Sequence, residues 1–86
     1  MQFQVMTLVI EENEIGSLPI TIDPEILSGT PVFRRTRVPV DALLRNLEAG
    51  LTLDEFLENF PSVTREQAVS VLEFYRATLL RLCKLK

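Results

Sequence analysis

The sequence contains no histidine and no tryptophan, and only one cysteine and three glycines among its 86 residues. Without histidine the chain lacks the commonest general base and the commonest metal-ligating side chain. The lone Cys83 cannot form an internal disulfide, which is typical of a protein in a reducing cytoplasm. The glycines are too scattered to form a phosphate-cradling loop. We therefore expect a non-enzymatic, cytoplasmic protein that uses no metal and no cofactor.

Long apolar runs and a strong excess of one charge are also missing. No stretch approaches the roughly 20 apolar residues of a membrane-spanning helix, and Met1–Ile10 lacks the basic start and cleavage site of a secretory signal. A composition of 47% hydrophobic and 24% charged residues fits one globular domain. The net charge of −3 argues against a general nucleic-acid coat protein, although clustered arginines allow a local basic patch.

The first part of the chain predicts short strands and then a loop. Gln2–Ile10 is predicted as a strand, because apolar and polar residues alternate in it and it ends in a run rich in β-branched residues. Glu11–Ser17 is polar and turn-like, and Leu18–Ile22 is predicted as a second strand. Asp23–Val40 carries prolines and a glycine that predict a loop, with Val32–Phe33 as a short strand inside it. A two-stranded ribbon is marginal alone in water, so this β arm or hairpin must pack against something. Whether its strands pair within one subunit or across a dimer is left open.

Three helices are predicted after the loop. The first spans about residues 41–49 and ends at Gly50, a residue suited to a left-handed helix terminus. The second and third each open with a capping box, Thr52–Glu55 and Thr64–Gln67, and the third runs to about Leu82. Two capped helices joined by a Pro-Ser-Val turn indicate a helix-turn-helix unit.

These elements predict a single α+β, mainly α, domain over residues 1–86. Its parts are a β arm at 1–22, a loop rich in proline and arginine at 23–40, and a tri-helical helix-turn-helix core at 41–86. The third helix is apolar on more than one side, and a single surface stripe would need fewer apolar residues. We therefore predict a homodimer, and the residues expected at its interface are Val71, Phe74, Tyr75, Leu79 and Leu82.

The segment Arg34–Arg37, here called the arginine loop, is the sharpest functional candidate. Arg34, Arg35 and Arg37 repel one another, and guanidinium groups suit bidentate recognition of phosphate or carboxylate. The alternative is a solvated loop whose arginines pair with nearby acids such as Asp23 or Asp41.

A second candidate is the start of the third helix, which faces the DNA groove in a helix-turn-helix protein. The residues that would lie there are Thr64, Arg65, Gln67 and Ser70. Arginine and glutamine can read base edges, whereas the neighbouring Glu66 would repel phosphate. A tri-helical core is also a common packing solution with no DNA role.

Several segments together resemble a known family. Asp23–Ile26, Gly29–Val40, Gly50–Glu55 and Phe60-Pro61 are similar to the signature of a widespread prokaryotic family, domain-of-unknown-function family 433. The similarity continues into the third helix and covers roughly residues 20–74. It implies a homeodomain-like tri-helical fold with a β-containing N-terminal arm, usually dimeric. Members are often regarded as antitoxins encoded beside a PIN-like ribonuclease toxin.

The resemblance also implies how such a protein would act. Antitoxins of this type bind and neutralise the nuclease, whose carboxylate and metal site would suit blocking arginines, and some repress their own operon by binding DNA. Because the chain ends soon after the third helix, we expect its toxin-binding part to be short or to lie elsewhere. Arg35 departs from the pattern, in which a glycine commonly precedes Thr36-Arg37. If that position has a positive φ, arginine there is strained.

We therefore predict an antitoxin-like, DNA-binding regulator that neutralises a PIN-like ribonuclease and represses its own operon. The alternative is a dimeric protein–protein interaction module that never binds nucleic acid. A small enzyme is disfavoured by the missing histidine and glycine loop.

Overall fold

The computed structural model describes residues 16–84, and the predicted strand Gln2–Ile10 lies outside them. Its elements are β1 (Ile20–Thr21), a 3-10 turn (Leu27–Gly29), β2 (Val32–Phe33), α1 (Asp41–Glu48), α2 (Leu53–Asn59) and α3 (Arg65–Cys83). The prediction of a mainly helical α+β fold is confirmed. Within residues 16–84, no helix combines the length and the apolarity that crossing a lipid bilayer would require.

The two short strands form an antiparallel pair, with Ile20 opposite Phe33 and Thr21 opposite Val32. The predicted strand at Leu18–Ile22 is thus present in a shorter form, and the predicted strand Val32–Phe33 is confirmed. The chain then folds back, since Phe33 N donates to Val38 O at 3.0 Å. Strand pairing therefore crosses the boundary drawn at residue 22 between the β arm and the loop.

The helix termini follow the predicted chemistry. Thr52 and Glu55 exchange the two hydrogen bonds of a capping box at 2.8 and 3.1 Å. At α3, Thr64 and Gln67 do the same, with both distances at 3.0 Å. Gly50 ends α1 at φ +96°, and the amides of Gly50 and Leu51 donate to the carbonyls of Leu47 and Asn46. This pattern is a Schellman motif, so the predicted glycine terminus is confirmed.

The strands and the helices contribute to one core. Phe33 from β2, Leu43 from α1 and Phe56 from α2 are each 0% exposed. The rings of Phe33 and Phe56 lie 6.4 Å apart in a tilted arrangement, a geometry that aromatic quadrupoles favour. Val63 in the α2–α3 turn is also buried, as are Ala68 and Val71 on α3. The segment predicted as a loop therefore supplies Phe33, one of the two phenylalanines that are fully buried among residues 16–84.

The apolar stripe of α3 continues past the subunit core. Ala68 and Val71 are buried, but Tyr75 and Leu79, which follow Val71 at intervals of four residues, are 38% and 62% exposed. Residues at this spacing share one helix face. Val71 is thus a core residue of its own subunit, 3% exposed. The exposed part of the stripe begins one turn later.

Candidate nucleic-acid interface

The arginine loop is a tight turn in which Thr36 N donates to Phe33 O at 3.0 Å. Arg35 occupies the third position of that turn at φ +65°, whereas Arg34 in the second position has no positive φ. This combination defines a type II turn, whose third position normally takes glycine or asparagine. The hydroxyl of Thr36 completes the turn, because it donates to Phe33 O at 2.8 Å and accepts from Val38 N at 3.0 Å.

Arg35 is strained by this backbone conformation. A left-handed conformation costs an L-residue other than glycine about 1–2 kcal/mol, because Cβ crowds the following carbonyl oxygen. The family pattern that the sequence resembles has a glycine at this position, and the positive φ now explains that preference. Such strain concentrates at functional positions. The arginine side chain is therefore present at a cost to folding stability.

Arg34 differs from the other two arginines because it holds the fold together. Its guanidinium Nη2 donates to Leu18 O at 2.8 Å, and its backbone N donates to Pro19 O at 2.8 Å. These bonds attach the loop to the strand β1 side of the domain. Of the three arginines in the arginine loop, Arg34 is thus the one whose guanidinium is already hydrogen-bonded within the chain, to Leu18 O.

Arg35 and Arg37 are exposed and have no carboxylate partner among residues 16–84. The acids that the alternative interpretation assigned to them bond elsewhere. Asp23 accepts from the amide of Glu25 at 2.8 Å, and Asp41 lies 3.8 Å from Arg45 in a surface ion pair. Two guanidinium groups of the arginine loop are therefore exposed to solvent and available to an external anion.

The first turn of α3 is more occupied than the sequence indicates. The hydroxyl and the backbone amide of Thr64 are both hydrogen-bonded in its capping box. Arg65 donates to the carboxylate of Asp54. Gln67 is half-buried and uses both ends of its amide, with Oε1 accepting from Thr64 N and Nε2 donating to Arg34 O at 3.1 Å. Ser70 is exposed. The four predicted base-reading residues do lie together, but three of them are engaged within the chain.

The surface beside this turn is acidic. Helix α2 has three carboxylates in seven residues and no basic residue. Asp54, Glu55, Glu58 and the nearby Glu66 are all exposed. Asp54, Leu57, Glu58 and Arg65 line an open groove between α2 and α3. Carboxylates here would oppose close approach of a phosphate backbone to the helix-turn-helix itself, so the arginine loop is the better anion contact.

A second surface is an apolar groove on the β1 side of α3. Its lining residues are Leu18, Ile20, Pro31, Val40, Val71, Phe74 and Tyr75. Burial raises the pKa of the Tyr75 phenol, and the negative charge of Asp41 raises it further. Phe74 is half-buried in this groove, and Leu82 is half-buried further along α3. Sequence reasoning missed Leu18, Ile20 and Pro31, because their proximity to α3 is a tertiary contact without a local pattern.

Exposed apolar residues of α3 also occur on its opposite side. Val69 and Leu80 are 41% and 49% exposed. The sequence indicated that α3 is apolar on more than one side, but neither residue was assigned to an interface. The signal was present in the helical spacing, which places both residues away from the stripe of Val71 and Leu79.

Residues 20–75 match the model of the family described as "Protein of unknown function (DUF433)". The chain belongs to this family. One curated relative, "Uncharacterized protein y4eO" from Sinorhizobium fredii (strain NBRC 101917 / NGR234), is 44% identical over 48 residues, which are 56% of this chain. The chain spans only 22% of the length of that relative.

A solved structure has a similar fold. It is a crystal structure of a DUF433 member protein from Anabaena variabilis ATCC 29413, which superposes with a TM-score of 0.62 at 23% sequence identity. The similarity covers 98% of this DUF433 chain and 96% of the other. It supports the tri-helical fold with its short β-sheet.

Proposed function

We propose that this DUF433 protein is an antitoxin-like, DNA-binding regulator that acts as a homodimer and uses its arginine loop as the DNA contact. The observation that carries the proposal is the pair Arg35 and Arg37, both exposed on the arginine loop without a carboxylate partner in residues 16–84. Arginine occupies position 35 although the positive φ of the backbone there favours glycine. We place the protein among binding proteins and not among enzymes.

Phosphate contact accounts better than base reading for these residues. Arg65 and Gln67 would have to break bonds to Asp54, Thr64 and Arg34 before they could reach a base edge. Arg35 and Arg37 need break none. Phosphate contacts position a protein on DNA and provide most of its salt-dependent affinity. Sequence preference in this protein would then come from Ser70 or from DNA shape.

Homodimerisation would double the number of presented arginines. The exposed stripe Tyr75 and Leu79, with the half-buried Phe74 and Leu82, supplies an apolar surface at one end of the domain. A small domain buries too little of its own surface to be very stable, so an association that covers this stripe would stabilise it. Two arginine loops on one particle would bind DNA more tightly than one.

The DNA part of the proposal is tested by fluorescence anisotropy with the DNA immediately upstream of the gene. We expect the affinity to fall steeply between 50 and 200 mM salt, on the order of a hundredfold for four phosphate contacts. The double variant Arg35→Ala/Arg37→Ala should lower the slope of log affinity against log salt by about 0.9 for each phosphate that is no longer neutralised. The matched control is Arg45→Ala/Arg76→Ala, which removes the same charge from two ion-paired arginines. Equal effects of the two double variants would refute loop-specific binding.

Neutralisation of a PIN-like ribonuclease is the second part of the proposal. Carboxylates that hold a divalent metal in such a nuclease would accept the same guanidinium groups that bind phosphate. The test is co-purification with the product of the adjacent gene, followed by a ribonuclease assay with and without this protein. A neighbour that is no nuclease, or one that stays fully active in the complex, would remove this part.

A protein–protein interaction module without DNA binding is the second candidate. The acidic surface of α2 favours it, because Asp54, Glu55 and Glu58 would attract a basic partner and repel DNA. Charge-reversal on α2 separates the two functions. If Glu58→Lys weakens partner binding and leaves DNA binding undetected at 50 mM salt, the interaction module is the better description.

A further inference from the structure

Gln67 joins two segments that are far apart in the sequence. Its Nε2 donates to the carbonyl of Arg34 at 3.1 Å, across 33 residues. At the same time its Oε1 accepts from Thr64 N at 3.0 Å, and its own backbone N donates to the hydroxyl of Thr64 at 3.0 Å. One amide therefore caps α3 and holds the arginine loop against that helix.

We propose that Gln67 is a positioning residue that fixes the arginine loop on the first turn of α3, so that Arg35 and Arg37 keep a defined place relative to the helix-turn-helix. Its importance for DNA rests on the proposed function, but the positioning itself does not. The other hydrogen bonds of the loop lie on the sheet side of the turn. They run to Leu18, Pro19, Phe33 and Val38.

The substitution Gln67→Glu separates the two tasks of the amide. A glutamate at the third helical position keeps a carboxylate oxygen for Thr64 N, as Glu55 does for Thr52 N in α2. It removes the donor and places a second oxygen near the carbonyl of Arg34. Capping of α3 should therefore survive while the hydrogen bond to the loop disappears. Gln67→Met is the neutral companion, which abolishes both bonds without adding charge.

The measurement is amide hydrogen exchange by NMR on the full chain. The amides of Arg34 and Thr36 report on the loop, because they donate to Pro19 O and Phe33 O. We expect both to exchange about two- to tenfold faster in Gln67→Glu and in Gln67→Met, the change that removal of one neutral hydrogen bond implies. Two controls should match the wild type at these amides. Glu55→Gln alters the equivalent cap in α2, and Thr64→Ala weakens the α3 cap but keeps the Gln67 donor.

Unchanged exchange at Arg34 and Thr36 in both Gln67 variants would overturn the proposal. Equally fast exchange in Thr64→Ala would also overturn it, since the effect would then belong to the cap and not to the bond between Gln67 and the loop. The DNA assay answers a separate question. If the wild-type protein binds no DNA but the loop amides still exchange faster in the Gln67 variants, the positioning role stands and the proposed DNA function fails.

Discussion

The guanidinium of Arg65 donates to the carboxylate of Asp54, so the first turn of α3 is tied to the first turn of α2 across the helix-turn-helix. Both side chains are largely exposed, at 57% and 74%. An ion pair in water contributes little to stability, typically below about 1 kcal/mol. The bond instead decides how much positive charge the start of α3 presents.

Removing the charge of Asp54 should therefore affect binding more than folding. Asp54→Asn deletes one carboxylate from an acidic surface and leaves the positive charge of Arg65 without an opposite charge beside it, so that a phosphate can neutralise it. We expect its affinity for DNA at 50 mM salt to rise by about threefold to tenfold, equivalent to one added phosphate contact. Fluorescence anisotropy measures the affinity, and chemical denaturation should find a free energy of unfolding within about 1 kcal/mol of the wild type.

Glu48→Gln is the control for this change, since it removes one exposed carboxylate at the end of α1, away from the Arg65 pair. If both variants raise the affinity equally, net charge explains the gain and Arg65 has no specific part. If Asp54→Asn lowers the affinity, the ion pair itself shapes the DNA-binding surface.

Arg35→Gly should separate stability from anion binding. Glycine relieves a strain of about 1–2 kcal/mol in the left-handed conformation. Its greater conformational freedom in the unfolded chain lowers the folding stability by about 0.4–1 kcal/mol, which offsets part of that gain. We expect a net stabilisation of up to about 1.6 kcal/mol, seen as a rise in Tm of several degrees. Affinity for DNA should fall at the same time, because the variant lacks a guanidinium.

Arg37→Gly is the matched variant for Arg35→Gly. Arg37 has no positive φ, so glycine there relieves nothing and should lower stability by about 0.4–1 kcal/mol. The two variants thus remove the same charge with opposite effects on Tm. A Tm that falls in both would mean that the turn does not strain Arg35 in solution.

Helix boundaries were the part of this fold that the sequence predicted best, because caps are local. Thr52–Glu55, Thr64–Gln67 and Gly50 each carry their own start or stop signal within a few residues. The contacts that define the candidate site are not local. Arg65 reaches Asp54 across 11 residues and Gln67 reaches Arg34 across 33, and no pattern within either segment reveals its partner.

Two burial states could not be predicted from the sequence, for a related reason. Phe33 lies among prolines and arginines that predict a loop, yet it is fully buried because the strand pair carries it against Phe56 of α2. Val71 belongs to the same helical stripe as Tyr75 and Leu79, and periodicity alone does not show where the subunit's own core stops covering that stripe. The helical periodicity shows which residues share a face of the helix, whereas the tertiary structure decides which of those residues the subunit core covers.

The burial of Phe33 leads to a prediction for the segment that resembles a loop. Phe33→Ala should cost about 3–5 kcal/mol, since it leaves a cavity beside Phe56 and Leu43. In a domain of this size that cost consumes most of the stability, so thermal denaturation followed by circular dichroism should show little or no folded protein at 37 °C. Ile22→Ala is the control, because Ile22 is 57% exposed and its truncation should cost far less. Similar destabilisation in both variants would contradict a core position for Phe33.

The exposed stripe of α3 gives the last prediction, which concerns the dimer. Leu79→Glu places a charge on the most exposed large apolar residue of that stripe, where burial in an interface would require its desolvation. We expect sedimentation to change from about twice the chain mass of 9.8 kDa to the monomer mass, with the α3 helix retained in circular dichroism. Ala77→Glu adds the same charge to α3 away from the stripe and should leave the dimer intact. A wild-type protein that is monomeric at micromolar concentration would end the dimer hypothesis. If both variants dissociate the dimer, the subunits contact each other through a face of α3 other than the one that carries Tyr75 and Leu79.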